Sequence, residues 1–253
     1  MDLPRNAFKA ALKAGQRQIG FWSTLPDGGL VELLAGRGYD WLLIDSEHAP
    51  VDPRAMLPLM QAAAPYPTSV VVRPGWNDPV EIKRLLDAGA QTVLVPYVQT
   101  AEEARAAVAA VRYPPLGIRG VAGTTRASQW GAIEGYTQQA NDEICLLVQV
   151  ETEAAARNIE EIAAIDGVDG IFVGPADLAA SMGFPGETGR PEVRAAVCDA
   201  VRRIVAAGKP AGFLSADQTF VAEVAEAGGS FLAVGIDSVL MRRAAVALRQ
   251  SWD

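Results

Sequence analysis

Histidine occurs once in this 253-residue chain, at position 48, and cysteine twice, at positions 145 and 198. Cys145 lies in an apolar run and Cys198 in a helical pattern, a spacing that gives neither a disulfide framework nor a thiolate metal site, so both are expected reduced and buried. No apolar run approaches the roughly 18 residues of a membrane span, and the stretch from Met1 to Gln18 is interspersed with Arg and Lys and lacks a signal-peptide core. The expected location is the cytoplasm. Positive charge is scarce as well: 22 Lys and Arg stand against 30 Asp and Glu, for a net charge of −8. That balance repels nucleic-acid phosphates and anionic lipid, so neither nucleic acid nor a membrane is expected as a partner. A Gly-rich phosphate fingerprint after the first strand is also missing, which argues against a doubly wound dinucleotide-binding sheet.

What is present is a repeat. Apolar runs at Gln18–Trp22, Asp40–Asp45, Thr68–Arg73, Thr92–Pro96, Glu143–Val150, Val168–Val173, Pro210–Leu214 and Ser230–Val234 read as eight strands. Between and after them lie stretches of helical period: Leu30–Leu34, Pro53–Ala64, Pro79–Ala88, Ala101–Val111, Glu153–Ala163, Pro191–Ala207, Asp217–Ala227 and Ser238–Gln250, several of them closed by a Gly. Eight βα units in about 250 residues predict one (β/α)8 TIM barrel. A single domain is expected over residues 1–253, with an N-terminal amphipathic helix around Arg5–Ala14. The one irregular interval is a long loop after the fourth helix, Arg112–Asp142, expected as a lid or rim.

Barrel chemistry sits at the C-terminal ends of strands, so polar residues that terminate apolar runs are the candidates. Asp45-Ser46-Glu47-His48 follows the second run, Arg73 ends the third, Gln149-Val150-Glu151 ends the fifth, and Gly174-Pro175-Ala176-Asp177 follows the sixth. His48, with carboxylates at Asp45 and Glu47, has the make-up of a general base near neutral pH. Sequence proximity makes Asp45 a candidate partner for it. Glu151 and Asp177 would each aim a carboxylate into an apolar mouth, a costly arrangement unless a shared cation satisfies both or each pairs with an arginine such as Arg73. Two carboxylates without a thiolate or second imidazole suit a hard ion, Mg²⁺ or Mn²⁺, with Co²⁺ as the third candidate. Arg73 could stabilise a ketone oxygen that becomes an enolate, or simply form a salt bridge. Gln149 shares the strand face of Glu151. Ala176 and Asp177 open a short helix whose N–H groups could face the mouth, or form an ordinary cap. Trp22 ends the first run and is a pocket wall or a rim aromatic. Neither Lys83, on a helix, nor Lys209, at the start of a strand, is placed for Schiff-base chemistry.

The ordered set Gly20-Phe21-Trp22, Asp45-Ser46-Glu47-His48, Val72-Arg73-Pro74, Leu86-Asp87-Ala88-Gly89-Ala90, Gly117-Ile118-Arg119-Gly120, Gln149-Val150-Glu151-Thr152 and Val173-Gly174-Pro175-Ala176-Asp177-Leu178 resembles the HpcH/HpaI aldolase family over nearly the whole chain. The resemblance implies a class II pyruvate aldolase that cleaves 4-hydroxy-2-oxo acids reversibly to pyruvate and an aldehyde, in the catabolism of aromatic compounds or sugar acids. It further implies that Glu151 and Asp177 bind the metal, that Gln149 and the backbone at Ala176 and Asp177 contact substrate, that His48 accepts the proton, and that Arg73 stabilises the transition state. Asp87 is implied as the group that raises the basicity of the histidine, supplied in some members by a neighbouring subunit, which points to a homo-oligomer, typically a hexamer. Leu214 is then a wall of the aldehyde pocket or a barrel-core residue. Oxaloacetate decarboxylation and CoA-linked carbon–carbon cleavage are the alternative reactions on such a scaffold, and a non-catalytic metabolite-binding barrel is the alternative outside catalysis.

Overall fold

Alternation along the strands sorts their side chains into two cores. The computed structural model describes residues 1–252, and its strands β1 (Gln18–Ser23), β2 (Trp41–Asp45), β3 (Ser69–Arg73), β4 (Thr92–Val95), β5 (Cys145–Val150), β6 (Gly170–Val173), β7 (Ala211–Leu214) and β8 (Phe231–Ile236) are parallel and close into a barrel in sequence order. One set of side chains, among them Leu42, Ile44, Val72, Val93, Val148 and Ile171, packs outward beneath the helices. The other set, Trp22, Trp41, Leu43, Val71, Leu94, Cys145, Leu147, Phe172 and Phe231, fills the barrel. A period of two that buries both faces is why these runs read as continuously apolar.

The helices follow in order: α1 (Ala7–Lys13), α2 (Gly28–Ala35), α3 (Pro53–Ala63), α4 (Pro79–Asp87), α5 (Ala101–Val111), α6 (Tyr136–Glu143), α7 (Glu153–Arg157), α8 (Ile159–Ala163), α9 (Pro175–Ser181), α10 (Pro191–Ala206), α11 (Gln218–Glu226) and α12 (Asp237–Gln250). Asp27, Asp52, Asp78, Thr100, Thr152 and Asp217 each cap a helix that follows a strand, accepting from N–H groups of its first turn. These caps pin the loops at the functional end.

Three expectations shift. The helix expected over Glu153–Ala163 is two short helices, because Asn158 leaves helical geometry and donates its side-chain amide to Gln99 O at 2.8 Å. The long loop is irregular only in part: from Tyr136 onward it is α6, which buries Tyr136 and Ala140 against Tyr113 and Ile133. The fifth run loses its first residue to that helix, since Glu143 ends α6 and accepts the Asn6 N–H at 2.7 Å.

Two glycines make room for the plug at the N-terminal end of the barrel. A Cβ at Gly20 would stand 2.1 Å from the Trp41 ring, and one at Gly212 would stand 2.1 Å from the Phe231 ring. Phe8 of α1 seals this end, its ring centroid 5.8 Å from that of Trp41 and 5.9 Å from that of Phe231. The plug leaves chemistry to the opposite end, where the strands terminate.

Candidate active site

The inward parity that places Trp41, Leu43 and Val71 inside the barrel carries on to Asp45 and Arg73 at the ends of β2 and β3. These two are paired in register. Arg73 Nε donates to Asp45 Oδ1 at 2.8 Å and Nη2 to Asp45 Oδ2, a two-pronged clamp in which both residues are buried. Below it lies Trp22, with the guanidinium carbon 4.8 Å from its ring centroid and its indole N–H donated to Asp45 Oδ2 at 3.3 Å. Burial works to raise the Asp45 pKa, but the hydrogen bonds and charge of Arg73, with the Glu47 N–H, hold it below the ordinary carboxylate value. For Arg73, burial opposes the charge, and Asp45, Glu47 and Glu151 outweigh it. The salt bridges of Arg73 are therefore to Asp45 and Glu47, not to Glu151 or Asp177.

This geometry corrects the pairing expected for Asp45. Both its oxygens are occupied, by Arg73, the Glu47 N–H at 3.0 Å and Trp22, so it is not the carboxylate beside the imidazole. That position belongs to Glu47, whose Oε1 lies 3.8 Å from His48 Nε2, an ion pair when the ring is protonated. The His48 side chain itself is 67% exposed at the mouth.

On the far wall Gln149 and Glu151 continue the inward face of β5. Glu151 is buried; its Oε1 accepts the Tyr97 N–H at 2.8 Å and its Oε2 accepts from Gln149 Nε2. Tyr97, which sequence reasoning did not single out, reaches it from an unusual left-handed conformation, φ 56°, and stacks on Trp76 with centroids 5.5 Å apart. Gly174 allows the close approach of β6, since a Cβ there would stand 2.5 Å from Glu151 Oε2. Burial first, then the negative charge of Glu47 and, more weakly, of Asp177, push the Glu151 pKa up to about 7. Asp177 is half-buried in the first turn of α9 and Ala176 beside it is exposed.

Such a cluster fits a cation. Glu151, Asp177 and Glu47 bring negative charge together at the strand ends, and buried Gln149 Oε1 has no hydrogen-bond partner. The donors are all oxygen, suited to a hard divalent ion. No cluster of three or more His, Cys, Asp or Glu arranged as metal ligands occurs among the described residues, so the protein would supply the carboxylate pair and leave other coordination positions open.

Asp87 lies elsewhere. It is the last residue of α4, the helix that runs back from the end of β3 toward the start of β4, so within one chain it sits at the end of the barrel opposite His48. There its Oδ1 accepts from Arg119 Nη2 at 3.0 Å, and Arg119 is buried with its guanidinium 4.3 Å from the Tyr113 ring centroid. Any meeting of Asp87 with an imidazole needs a second chain. Leu214 is half-buried at the upper edge of the barrel core, packed against the inward cluster. Lys209 lies at the closed end and donates to Val168 O, away from the mouth.

The chain is similar to known proteins over nearly its whole length. The family model described as HpcH/HpaI aldolase/citrate lyase matches residues 18–244. The chain is 62% identical over 253 residues to a hydroxypyruvate/pyruvate aldolase of Sagittula stellata, with 100% of both chains covered. It is 56% identical over 245 residues to a 4-hydroxy-2-oxo-heptane-1,7-dioate aldolase of Salmonella heidelberg, covering 96% of this chain and 93% of the relative. Among solved structures, an HpcH/HpaI aldolase/citrate lyase family protein from Burkholderia cenocepacia superposes with a TM-score of 0.93 at 38% identity, covering 98% of this chain and 100% of the other.

Proposed function

The chain belongs to the HpcH/HpaI aldolase/citrate lyase family, and on that premise we propose that it is a class II pyruvate aldolase, a carbon–carbon lyase that cleaves 4-hydroxy-2-oxo acids reversibly to pyruvate and an aldehyde. One barrel domain spans the chain. The observation that carries the reading is the buried Glu151 carboxylate, raised to about 7 by burial and by the charges of Glu47 and Asp177. Glu151 and Asp177 would hold a divalent cation, Mg²⁺ or Mn²⁺ with Co²⁺ third, which when bound would supply a Lewis acid that makes the methyl protons of pyruvate more acidic.

The remaining chemistry belongs to side chains. In the synthetic direction His48 takes a methyl proton of pyruvate, the resulting enolate carbon adds to the aldehyde carbonyl, and a proton is delivered to the new alkoxide. Arg73, fixed by Asp45 over Trp22, presents its charge toward the oxygen that becomes negative. Gln149 and the backbone at Ala176 and Asp177 hold the 2-oxo acid, while Trp22 and Leu214 line the pocket. Neither Lys209, remote from the mouth, nor Lys83, on α4, takes part.

The test is loss of the pyruvate methyl proton signal in D₂O, which needs no knowledge of the aldehyde. Exchange is expected only with Mg²⁺ or Mn²⁺ added back to stripped protein, and His48→Ala should slow it by roughly 10²- to 10⁴-fold. A change of less than about threefold would remove His48 from the reaction.

We infer a homo-oligomer, with a hexamer as the expected state and Asp87 the group that a second chain brings to His48. Its support is α12. After Asp237, which is buried and accepts from Ser23, Thr24 and Leu25, this helix leaves the barrel surface. Leu240, Met241, Leu248 and Trp252 are exposed, the last two at 66% and 84%, more apolar surface than a lone helix ordinarily presents to water. Light scattering should give six times the chain mass, and Leu240→Glu combined with Leu248→Glu should lower it; an unaltered monomer mass for both proteins would remove the oligomer. No helix of the described residues is long and apolar enough to cross a membrane, and both cysteines are free and buried, which supports a cytoplasmic location.

A further inference from the structure

The closed end of the barrel carries a second concavity, beside α1. It is a cleft of about 530 Å³, within the roughly 300–1,000 Å³ of small-molecule sites. Its walls are the segment ahead of α1, the turn from α3 into β3, the turn from α4 into β4, the loop around Arg126 and Gln129, and α6. Its charge is opposite to that of the chain as a whole. Thirty of the 253 residues are Asp or Glu, yet none of them lines the cleft, whereas Arg5 and Arg126 both do. Arg5 is answered by Glu143 at 2.8 Å. Arg126 is half-buried and has no such answer: among the described residues its one hydrogen bond runs from Nη1 to Ala88 O at 2.8 Å, and no carboxylate pairs with it. The Asp87 carboxylate, on the adjacent turn, is held by Arg119 instead. The hydroxyls of Ser69 and Tyr136 and the amide of Gln129 also belong to the lining and make no hydrogen bond among the described residues.

The backbone is shaped to seat this guanidinium. Gly89 runs against it with φ 103°, and a Cβ there would stand 2.6 Å from Arg126 Nη1, so conformation and space both require glycine. The loop that carries Arg126 is fixed on either side: the Ala127 N–H donates to Asp87 O at 3.2 Å, and the buried Ser128 hydroxyl accepts the Gly131 N–H at 3.1 Å. Gln129 and Trp130 follow in left-handed conformations, φ 50° and 58°, which are uncommon outside glycine.

We propose that this cleft is a second ligand site, for a small organic carboxylate whose head pairs with Arg126 and whose apolar body lies against Tyr66, Tyr136 and Ile144. A guanidinium with unengaged N–H groups grips an oxyanion through charge-assisted hydrogen bonds, and its planar fork matches a carboxylate. One uncompensated cation balances a single negative charge, which favours a carboxylate over a phosphate dianion. The lack of acidic lining removes the repulsion that the rest of this surface offers to anions. The two ends of the barrel thus select opposite charges, a cation at the Glu151 and Asp177 end and an anion here.

The experiment titrates Mg²⁺-loaded full-length protein against para-fluorobenzoate and follows the line width of its fluorine NMR signal. Saturable binding is expected, with para-fluorobenzamide, the same shape without the charge, at least about tenfold weaker. Arg126→Met should weaken the carboxylate at least about tenfold, Arg126→Lys should weaken it less, and Gly89→Ala, which displaces the guanidinium from its seat, should also weaken it. Glu151→Gln alters only the mouth and should bind the probe unchanged. Thermal unfolding of each variant separates lost binding from lost fold. Because the readout is binding, the result is independent of the reaction proposed for the mouth. A folded Arg126→Met protein that binds the probe as well as the unaltered chain overturns the proposal, and so does loss of binding in Glu151→Gln, which would place the probe at the mouth. Displacement by inorganic phosphate at lower concentration than by unlabelled benzoate overturns the carboxylate class. Binding seen only when Leu240→Glu and Leu248→Glu are present means that a second copy fills the cleft, and no saturable binding at millimolar probe leaves it to water; either result removes the site.

Discussion

Glu151→Gln is expected to cost the enzyme its activity and, in the metal-free protein at pH 8, to make the fold more stable. The Glu151 carboxyl titrates at about 7 when folded, against an ordinary value of 4.5, because it is buried near Glu47 and Asp177. For a carboxyl with a raised folded pKa the sign is opposite to the usual acidic case. No penalty exists below about 4.5; it grows as pH rises from there to 7, and above 7 it is constant at roughly 3 kcal/mol. The neutral amide never carries that penalty. Its oxygen still accepts the Tyr97 N–H, and once the Gln149 amide turns over, so that Oε1 rather than Nε2 faces position 151, its amide nitrogen donates to Gln149 Oε1, which has no partner now. Urea unfolding with a chelator present should therefore favour the variant at pH 8 and show little difference at pH 4.5. Adding Mg²⁺ should stabilise the unaltered chain at pH 8 far more than at pH 5.5, where the proton competes for the same carboxylate, and should do little for the variant. Affinity for Mg²⁺ should fall by at least about 100-fold, since an anionic ligand has been replaced by a neutral one. A variant that is less stable than the unaltered chain at pH 8 without metal, or that binds Mg²⁺ equally well, removes Glu151 from the cation site. On the proposed function, function and stability pull apart at this residue because its burial would serve the cation rather than the fold.

How much of this was legible beforehand depends on the distance between sequence neighbours and spatial neighbours. The eight strands were legible because residues buried on both faces leave apolar runs with sharp polar ends. The polar ends then named the mouth: Asp45, Arg73, Gln149 and Glu151 all continue the inward parity set by Trp41, Val71 and Leu147. Partnerships at those ends were not legible. Asp45 precedes His48 by three residues, yet the pairing of Asp45 with Arg73 across β2 and β3 takes both its oxygens, and only the register of two strands 28 positions apart reveals it. Glu47 next to His48 was in view, but adjacent residues on a strand end alternate in direction, so contact between them depends on the turn that Ser46 makes onto Arg73 O. Tyr97 is further out of reach, because its contribution is a backbone N–H delivered by a left-handed φ rather than a side chain. Asp87 marks a different boundary. It lies at the closed end of its own barrel beside Arg119, so any part it plays at a mouth is a property of the assembly and has no trace in the geometry of one chain. The break at Asn158 and the helix α6 are local cases, where a side-chain hydrogen bond and a small satellite core overrode the hydrophobic period.

Arg73→Met should be damaging in two separable ways, and a second substitution tells them apart. The guanidinium is buried, holds Asp45 with two hydrogen bonds and pairs with Glu47 at 2.7 Å. Taking it away leaves Asp45 charged and buried without a counter-ion, with only the Glu47 and Trp22 N–H groups donating to it, a change that costs about 3–5 kcal/mol in comparable settings. The pH dependence follows from the sign of the Asp45 shift. Its pKa is lowered in the folded protein, so the pair contributes stability above the ordinary carboxylate range and loses it as the pH falls through the folded value. In Arg73→Met that dependence should reverse, with the variant regaining stability in acid as Asp45 becomes neutral. Adding Asp45→Asn to Arg73→Met removes the orphaned charge, leaves a neutral side chain able to accept the Trp22 N–H, and should restore most of the lost stability. Activity should not return with it. If Arg73 faces the oxygen that gains negative charge, the double variant stays roughly 10²- to 10³-fold slower, the loss typical of removing one donor to a developing oxyanion. Arg73→Lys should sit between them, keeping the charge but not the fork that grips both Asp45 oxygens, and so folding better than Met while reacting little faster. Recovery of turnover in the double variant would mean that Arg73 serves the fold alone, and the charge at the mouth would then have to come from the cation site formed by Glu151 and Asp177.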